Sequence, residues 1–334
     1  MKAAVFHGPR DITVEEIEKP ALQPGDVLVK IRACGICGSD LHSYKHGLFP
    51  ELGAPVASGL ALGHEFGGEV AEIAGEVRGL KVGDRVSGIC IGCAAEYVRL
   101  PALLVPAIRI IPPQVSLEEA ATIEPLANSV HAVRLGSPSE GQTAVVIGVG
   151  IIGLGIIQVP KAKDSVRIIA VDISQKRLEM AGQVGADAVV NAGREDAHQG
   201  VLSAAGASTV LYDGEPSGNV DIVFECAGAG REQKGPAALW QALRIVQQDG
   251  KIVVVSIAER PVEIGAALLV RKGATIVGSW AWTLDDFDEA LTLMSERKMN
   301  RRQLISHEFP IEQAKEAYEA ALSAEESVKV LIKP

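Results

Sequence analysis

A chain of 334 residues is long for a single hydrophobic core and implies two domains. Its 47% apolar and 22% charged residues suit an ordinary globular enzyme. The net charge of −10 argues against nucleic acid or an anionic membrane as the main partner.

Five cysteines are too few and too unevenly placed for a secreted disulfide scaffold. The opening "MKAAVFHGPRDITVEE" has no apolar core of a signal peptide. No apolar run reaches the roughly 18–20 residues of a membrane span. The expected home is a reducing cytoplasm, where thiols stay free or bind metal.

The first 120 residues read as short strands and turns. "KAAVF", "ITVEEI", "DVLVKIRAC", "GGEVAEIA" and "AAEYVRLP" are apolar or alternating runs between Gly/Pro punctuation. "SLEEAATIEPLANSVHAVRL" then predicts a helix with Ser116 as N-cap and Glu119 as its capping-box partner. "TAVVIGVGIIGLGIIQV" reads as strand, glycine turn and helix. "RIIAVDI" is a buried strand and "SQKRLEMAGQVG" a helix closed by Gly185. "DAVVN", "VDIVFECAG", "GKIVVVSIA" and "GATIVGSW" are further strands, with the helix "PAALWQALRIVQQDG" among them. Two helices, "LDDFDEALTLMSERK" and "IEQAKEAYEAALS", precede a last strand, "VKVLIKP". Alternating strands and helices imply an α/β fold with a parallel, doubly wound sheet beside a β-rich part.

"VVIGVGIIG" carries Gly148, Gly150 and Gly153 in G-x-G-x-x-G spacing, after a strand and opening a helix. Asp172 ends the next strand, 19 residues after Gly153. That context is the dinucleotide-binding fingerprint. Gly148, Gly150, Ile151, Ile152 and Gly153 form the turn and helix start that face the cofactor phosphates, where unpaired N–H groups attract an anion. An aspartate at position 172 accepts from ribose hydroxyls and repels a 2′-phosphate, which favours NAD. Lys176 and Arg177 are the counter-signal. Pro160, late in this helix, predicts a kink or stop there.

The remaining chemistry lies in "RACGICGSDLH", "ALGHEFGGEV", "SGICIGC" and "TIEPLANSV". Two C-x-x-C pairs that share a structural zinc are usually about 15–20 residues apart, whereas 53 positions separate Cys37 from Cys90. His64 and Glu65 occupy a glycine-rich turn, and Glu124 lies where the chain changes character. Cys, His and Glu are all competent zinc ligands, and three of them plus water make a catalytic rather than a structural site.

"CGICGSDLH", "GHEFGGEV", "KVGDRV", "EPLANSVHAV", "GVGIIGL", "VDISQKRLEMAGQVGAD" and "FECAG" occur in the order seen in zinc-containing medium-chain alcohol and polyol dehydrogenases. The chain resembles their sorbitol, threonine and butanediol dehydrogenase-like branch over nearly its whole length. The resemblance implies a β-rich GroES-like catalytic domain, residues 1–123 and 276–334, interrupted by a Rossmann NAD-binding domain, residues 124–275. It implies Cys37 and His64 as zinc ligands, with Glu65 and Glu124 sharing the roles of ligand and holder of the zinc water. Ser39 then touches the substrate oxygen and His42 relays its proton. The cysteine-rich lobe that relatives carry after "GDRV" is almost wholly missing. One catalytic zinc and no structural zinc are therefore expected, with Cys90 and Cys93 free or paired by oxidation.

The implied reaction is NAD-linked oxidation of a secondary alcohol, polyol or β-hydroxy amino acid, with zinc as the Lewis acid. Two other functions compete. One is a zinc-free, NADPH-dependent reductase of carbon–carbon double bonds. The other is a catalytically idle NAD-binding structural protein. Family likeness suggests a homodimer or homotetramer. Cys34, Cys226 and His131 are expected to serve packing.

Overall fold

The computed structural model describes residues 1–49, 54–162, 166–210, 215–228, 237–323 and 325–334, the side chains of 209 and 210 excepted. They form two compact units, one of residues 1–125 and 287–334, the other of residues 126–286.

In the first unit a seven-stranded sheet is built around Val27–Gly35. This strand pairs antiparallel with Glu65–Ile73, Tyr97–Leu100 and Lys329–Lys333. A strand paired on both edges and covered on both faces reads as an apolar run, which explains "VLVKIRACG". Its inner side chains meet Phe6, Tyr44, Phe66 and Tyr318 in one core. Ala314, Ala317 and Tyr318 bring the helix Ala314–Leu322 onto that core at i, i+3 and i+4 spacing. The helix predicted from Ser116 is two helices, Leu117–Ala120 and Ile123–Gly136. The capping box is present: Glu119 N–H donates to Ser116 Oγ, and Ser116 N–H to Glu119 Oε2.

The second unit holds a six-stranded sheet, all parallel. Its spatial order is Ala188–Asn191, Arg167–Asp172, Thr143–Ile147, Ile222–Glu225, Lys251–Val254, Thr275–Gly278. The chain starts in the middle, winds outward one way, then returns and winds the other. A sheet with this order has its binding crevice at the carboxyl ends of the two central strands. The helix Ile151–Lys161 ends one residue after Pro160, as the missing donor and ring clash require.

The expected boundary of the second unit differs from the observed one. The boundary expected between 275 and 276 falls inside the strand Thr275–Gly278, which pairs in full register with Lys251–Val254. The units change over between Asp286 and Phe287 instead. The helix Ala197–Ala205 was not predicted. Gly200 masks its pattern, and is there because a β-carbon would press on Val190. No helix among the described residues is long and apolar enough to cross a membrane.

Candidate active site

Cys37 follows the central strand Val27–Gly35 and caps the N-terminus of the helix Gly38–His46. A cysteine N-cap and a polar helix give little signal in the sequence. Asp40 makes the helix start. Its Oδ2 accepts the Cys37 backbone N–H at 2.9 Å, and its Oδ1 accepts the Gly63 N–H at 3.1 Å. The same Oδ1 lies 3.5 Å from His64 Nδ1. One buried carboxylate thus ties the Cys37 segment to the His64 segment.

Glu65 begins the strand Glu65–Ile73 and stands opposite Gly35 in the ladder. A β-carbon on Gly35 would collide with Glu65 Oε2, so glycine lets the carboxylate lie across the strand. The ligating atoms of Cys37, His64 and Glu65 all fall within 4.8 Å of one another. Zinc bonds of about 2.0–2.3 Å need ligand atoms that close.

Glu65 is fully buried, and neither of its oxygens has a partner in hydrogen-bond geometry. Lys329 Nζ touches Oε2 as an ion pair and donates to Ile36 O at 2.8 Å. Burial of a carboxylate with lone pairs unfilled is costly unless an ion completes it. This donor set fits a zinc ion. Glu124, in the first turn of Ile123–Gly136 and 7% exposed, is not part of the trio.

The electrostatics agree. Burial pulls the His64 pKa down, but the Asp40 carboxylate and the Cys37 sulfur outweigh it and raise it well above the ordinary value. Burial pushes Asp40 up, but His64 and the Cys37 and Gly63 N–H groups lower it overall. Burial pulls the Lys329 pKa down, but Glu65 and the Cys37 sulfur raise it overall. Burial holds Arg301 down to about 10 against the pull of Glu65.

Ser39 is half-buried in the first turn of the same helix. His42, one turn on, donates from Nδ1 to Leu48 O at 3.1 Å, which makes Nε2 its proton-accepting nitrogen. Cys90 and Cys93 are free thiols. Cys93 Sγ donates to Cys90 O at 2.8 Å, and burial pushes Cys90 up to about 11. Cys34 is buried inside its strand.

In the second unit Gly148 has φ +88°, and a β-carbon there would lie 2.7 Å from Ala227 N. Only glycine serves both the turn and the contact. Gly150 caps the helix Ile151–Lys161, and a β-carbon there would meet only Arg177 Nη1, at 3.8 Å. Ile151 and Ile152 form the first turn of that helix. Gly153 lets helix and turn close, since a β-carbon would strike Gly148 O. Asp172 ends the neighbouring strand. Its Oδ2 accepts from Val149 N and its Oδ1 from Ser174 N, at 2.8 and 2.9 Å.

Zinc-binding dehydrogenases, as a family, match residues 152–296, and the alcohol dehydrogenase GroES-like domain matches residues 23–110. (R,R)-Butanediol dehydrogenase from Bacillus subtilis is 32% identical, with all of both chains covered. This chain is a zinc-containing medium-chain dehydrogenase. The solved structure of 2R,3R-butanediol dehydrogenase from Bacillus subtilis has a TM-score of 0.83 to this dehydrogenase, at 31% identity, covering 100% of this chain and 99% of the other. Sorbitol dehydrogenase from Bacillus subtilis is 29% identical, over 100% of this chain and 97% of its own. A zinc-binding dehydrogenase of Sinorhizobium meliloti 1021, solved bound to NADP, is 27% identical with a TM-score of 0.83, covering 100% and 99%. The zinc-free and idle alternatives are not favoured.

Sequence reasoning passed over three charged residues of this dehydrogenase. Asp40 stood in plain view three residues after Cys37, where the N3 position of a capping box falls. Lys329 and Arg301 carried no local signal, because their partner Glu65 lies far away in the sequence.

Proposed function

We propose that this dehydrogenase oxidises a secondary alcohol or polyol to a ketone with NAD, using one zinc per chain. The observation that carries the reading is the convergence of Cys37, His64 and Glu65 on one point, with Asp40 bracing His64 from behind. Zinc bound there supplies Lewis acidity toward an alcohol oxygen. Asp40 on Nδ1 assigns Nε2 of His64 to the ion and fixes the ring. Glu65 is the third ligand in this reading, and Glu124 serves as the acidic neighbour that holds water. Ser39 receives the hydroxyl proton and passes it to His42 Nε2, whose ring is oriented by Leu48 O.

On the second unit, Gly148, Gly150, Ile151, Ile152 and Gly153 seat the pyrophosphate at a helix N-terminus. Asp172 receives the adenosine ribose, which favours NAD. The Arg177 guanidinium near Gly150 supports a second reading in which NADP is also accepted. The strand Thr275–Gly278 is a sheet edge flanked by Trp280, 62% exposed, and is proposed to pair with a second copy. Free thiols suit a reducing cytoplasm.

The test is the rate of reduced-cofactor formation over a panel of secondary alcohols, polyols and β-hydroxy amino acids, with NAD and NADP in parallel. Turnover of a vicinal diol or polyol with NAD supports the reading. Turnover of primary alcohols alone, or none with a fully zinc-loaded protein, overturns it.

A further inference from the structure

The buried carboxylate of Glu225 has no part in the site described so far. It ends the strand Ile222–Glu225, beside Thr143–Ile147 at the centre of the parallel sheet. It is 2% exposed. Its Oε1 accepts two backbone donors, Ala227 N at 2.9 Å and Gly228 N at 2.7 Å. Its Oε2 accepts the hydroxyl of Ser256, which follows the next strand, Lys251–Val254. One side chain therefore joins the loops after both strands.

Those loops are also wedged. On one side the loop after Glu225 abuts the glycine turn, where a β-carbon on Gly148 would lie 2.7 Å from Ala227 N. On the other, a β-carbon on Gly228 would lie 3.3 Å from Ser256 Cβ and 3.4 Å from Ile257 O. The sheet divides into two nucleotide-binding halves about this point. Asp172 belongs to the adenosine half. Glu225 and Ser256 belong to the other, which takes the second nucleotide of the dinucleotide.

We infer that Glu225 is a positioning residue for the nicotinamide half of the cofactor: through Ala227 N, Gly228 N and Ser256 it locks the loops that receive nicotinamide ribose against the glycine turn. This rests on the cofactor reading above. No bond is made or broken, and the effect is one of preorganisation.

The experiment measures dissociation constants of NADH and of AMP, by fluorescence and calorimetry, for the zinc-loaded wild type, Glu225→Ala, Glu225→Gln and Ser256→Ala. Glutamine keeps an acceptor oxygen for the two N–H groups. Glu225→Ala should weaken NADH by about tenfold or more, the scale expected when buried donors lose their acceptor. AMP affinity and zinc content should not move. Glu225→Gln should restore most of the NADH affinity, and Ser256→Ala should fall between. Equal losses of NADH and AMP, or NADH affinity unchanged in Glu225→Ala, overturn the inference. If Glu225→Ala does not fold, Ser256→Ala decides: a loss for NADH alone supports it, and no loss overturns it. A wild type that binds AMP but not NADH would instead overturn the cofactor reading itself.

Discussion

Asp40 Oδ1 lies 3.5 Å from His64 Nδ1 while Asp40 Oδ2 holds the backbone N–H of Cys37. The two proposed ligands come from distant parts of the chain, and this carboxylate sets their separation. Asparagine keeps one acceptor oxygen where the carboxylate has two, so the Cys37 N–H, the Gly63 N–H and His64 can no longer all be held. Asp40→Asn should lower zinc affinity by about 10–100-fold. Competition with a chelator reads the loss directly, and an unchanged affinity would remove Asp40 from the support of the site.

Lys329 neutralises Glu65 in a fully buried pair. Removing one partner strands a charge. Lys329→Met should cost about 3 kcal/mol or more in metal-stripped protein. The loss should shrink when zinc is bound, because the ion then supplies the countercharge. Denaturant melts with and without zinc test this. Equal losses in both states would mean that Glu65 does not face the ion.

Asp172 holds the glycine turn through Val149 N and Ser174 N, besides its proposed contact with the cofactor ribose. Asp172→Gly should therefore weaken both cofactors, and NAD more than NADP. The NAD/NADP ratio of kcat/KM should fall by about tenfold, the scale of a lost charged hydrogen bond. A ratio that stays put would detach Asp172 from the ribose.

The outcome shows what a linear pattern conveys. The strands of the parallel sheet, the glycine turn and the Ser116 capping box were legible because each is a pattern among neighbours within a few residues, and strands alternating with helices imply parallel pairing. The helix Gly38–His46 was not, since its cap is a cysteine and its buried groups are Asp40, Ser43 and Tyr44 rather than an apolar stripe. Tyr44 is fully buried and donates to Glu319 at 2.6 Å. Cys37, His64 and Glu65 were nameable from their motifs. The cation against Glu65 was not, because Lys329 meets it only in the folded sheet.

His198 had no partner in the sequence, yet it is buried between Pro216 O, at 2.9 Å, and Arg244 Nη2, at 3.3 Å. Burial and then Arg244 lower its pKa, against weaker upward pulls from Pro216 O, Glu215 and Asp196. The unfolded imidazole titrates near 6.5, so below that pH the unfolded chain binds the extra proton first. Stability from this site is present above about pH 6.5 and is lost as pH falls toward the folded value. His198→Gln should flatten the decline in Tm between about pH 7 and pH 5.5. An identical decline in wild type and variant would contradict the assignment.

The most direct test of the zinc reading is metal content, cofactor affinity and turnover measured together on Cys37→Ser and His64→Ala. The account predicts that both variants lose zinc and turnover while NADH binding stays close to wild type. Full turnover in either variant, or zinc retained at the wild-type level in both, would contradict it.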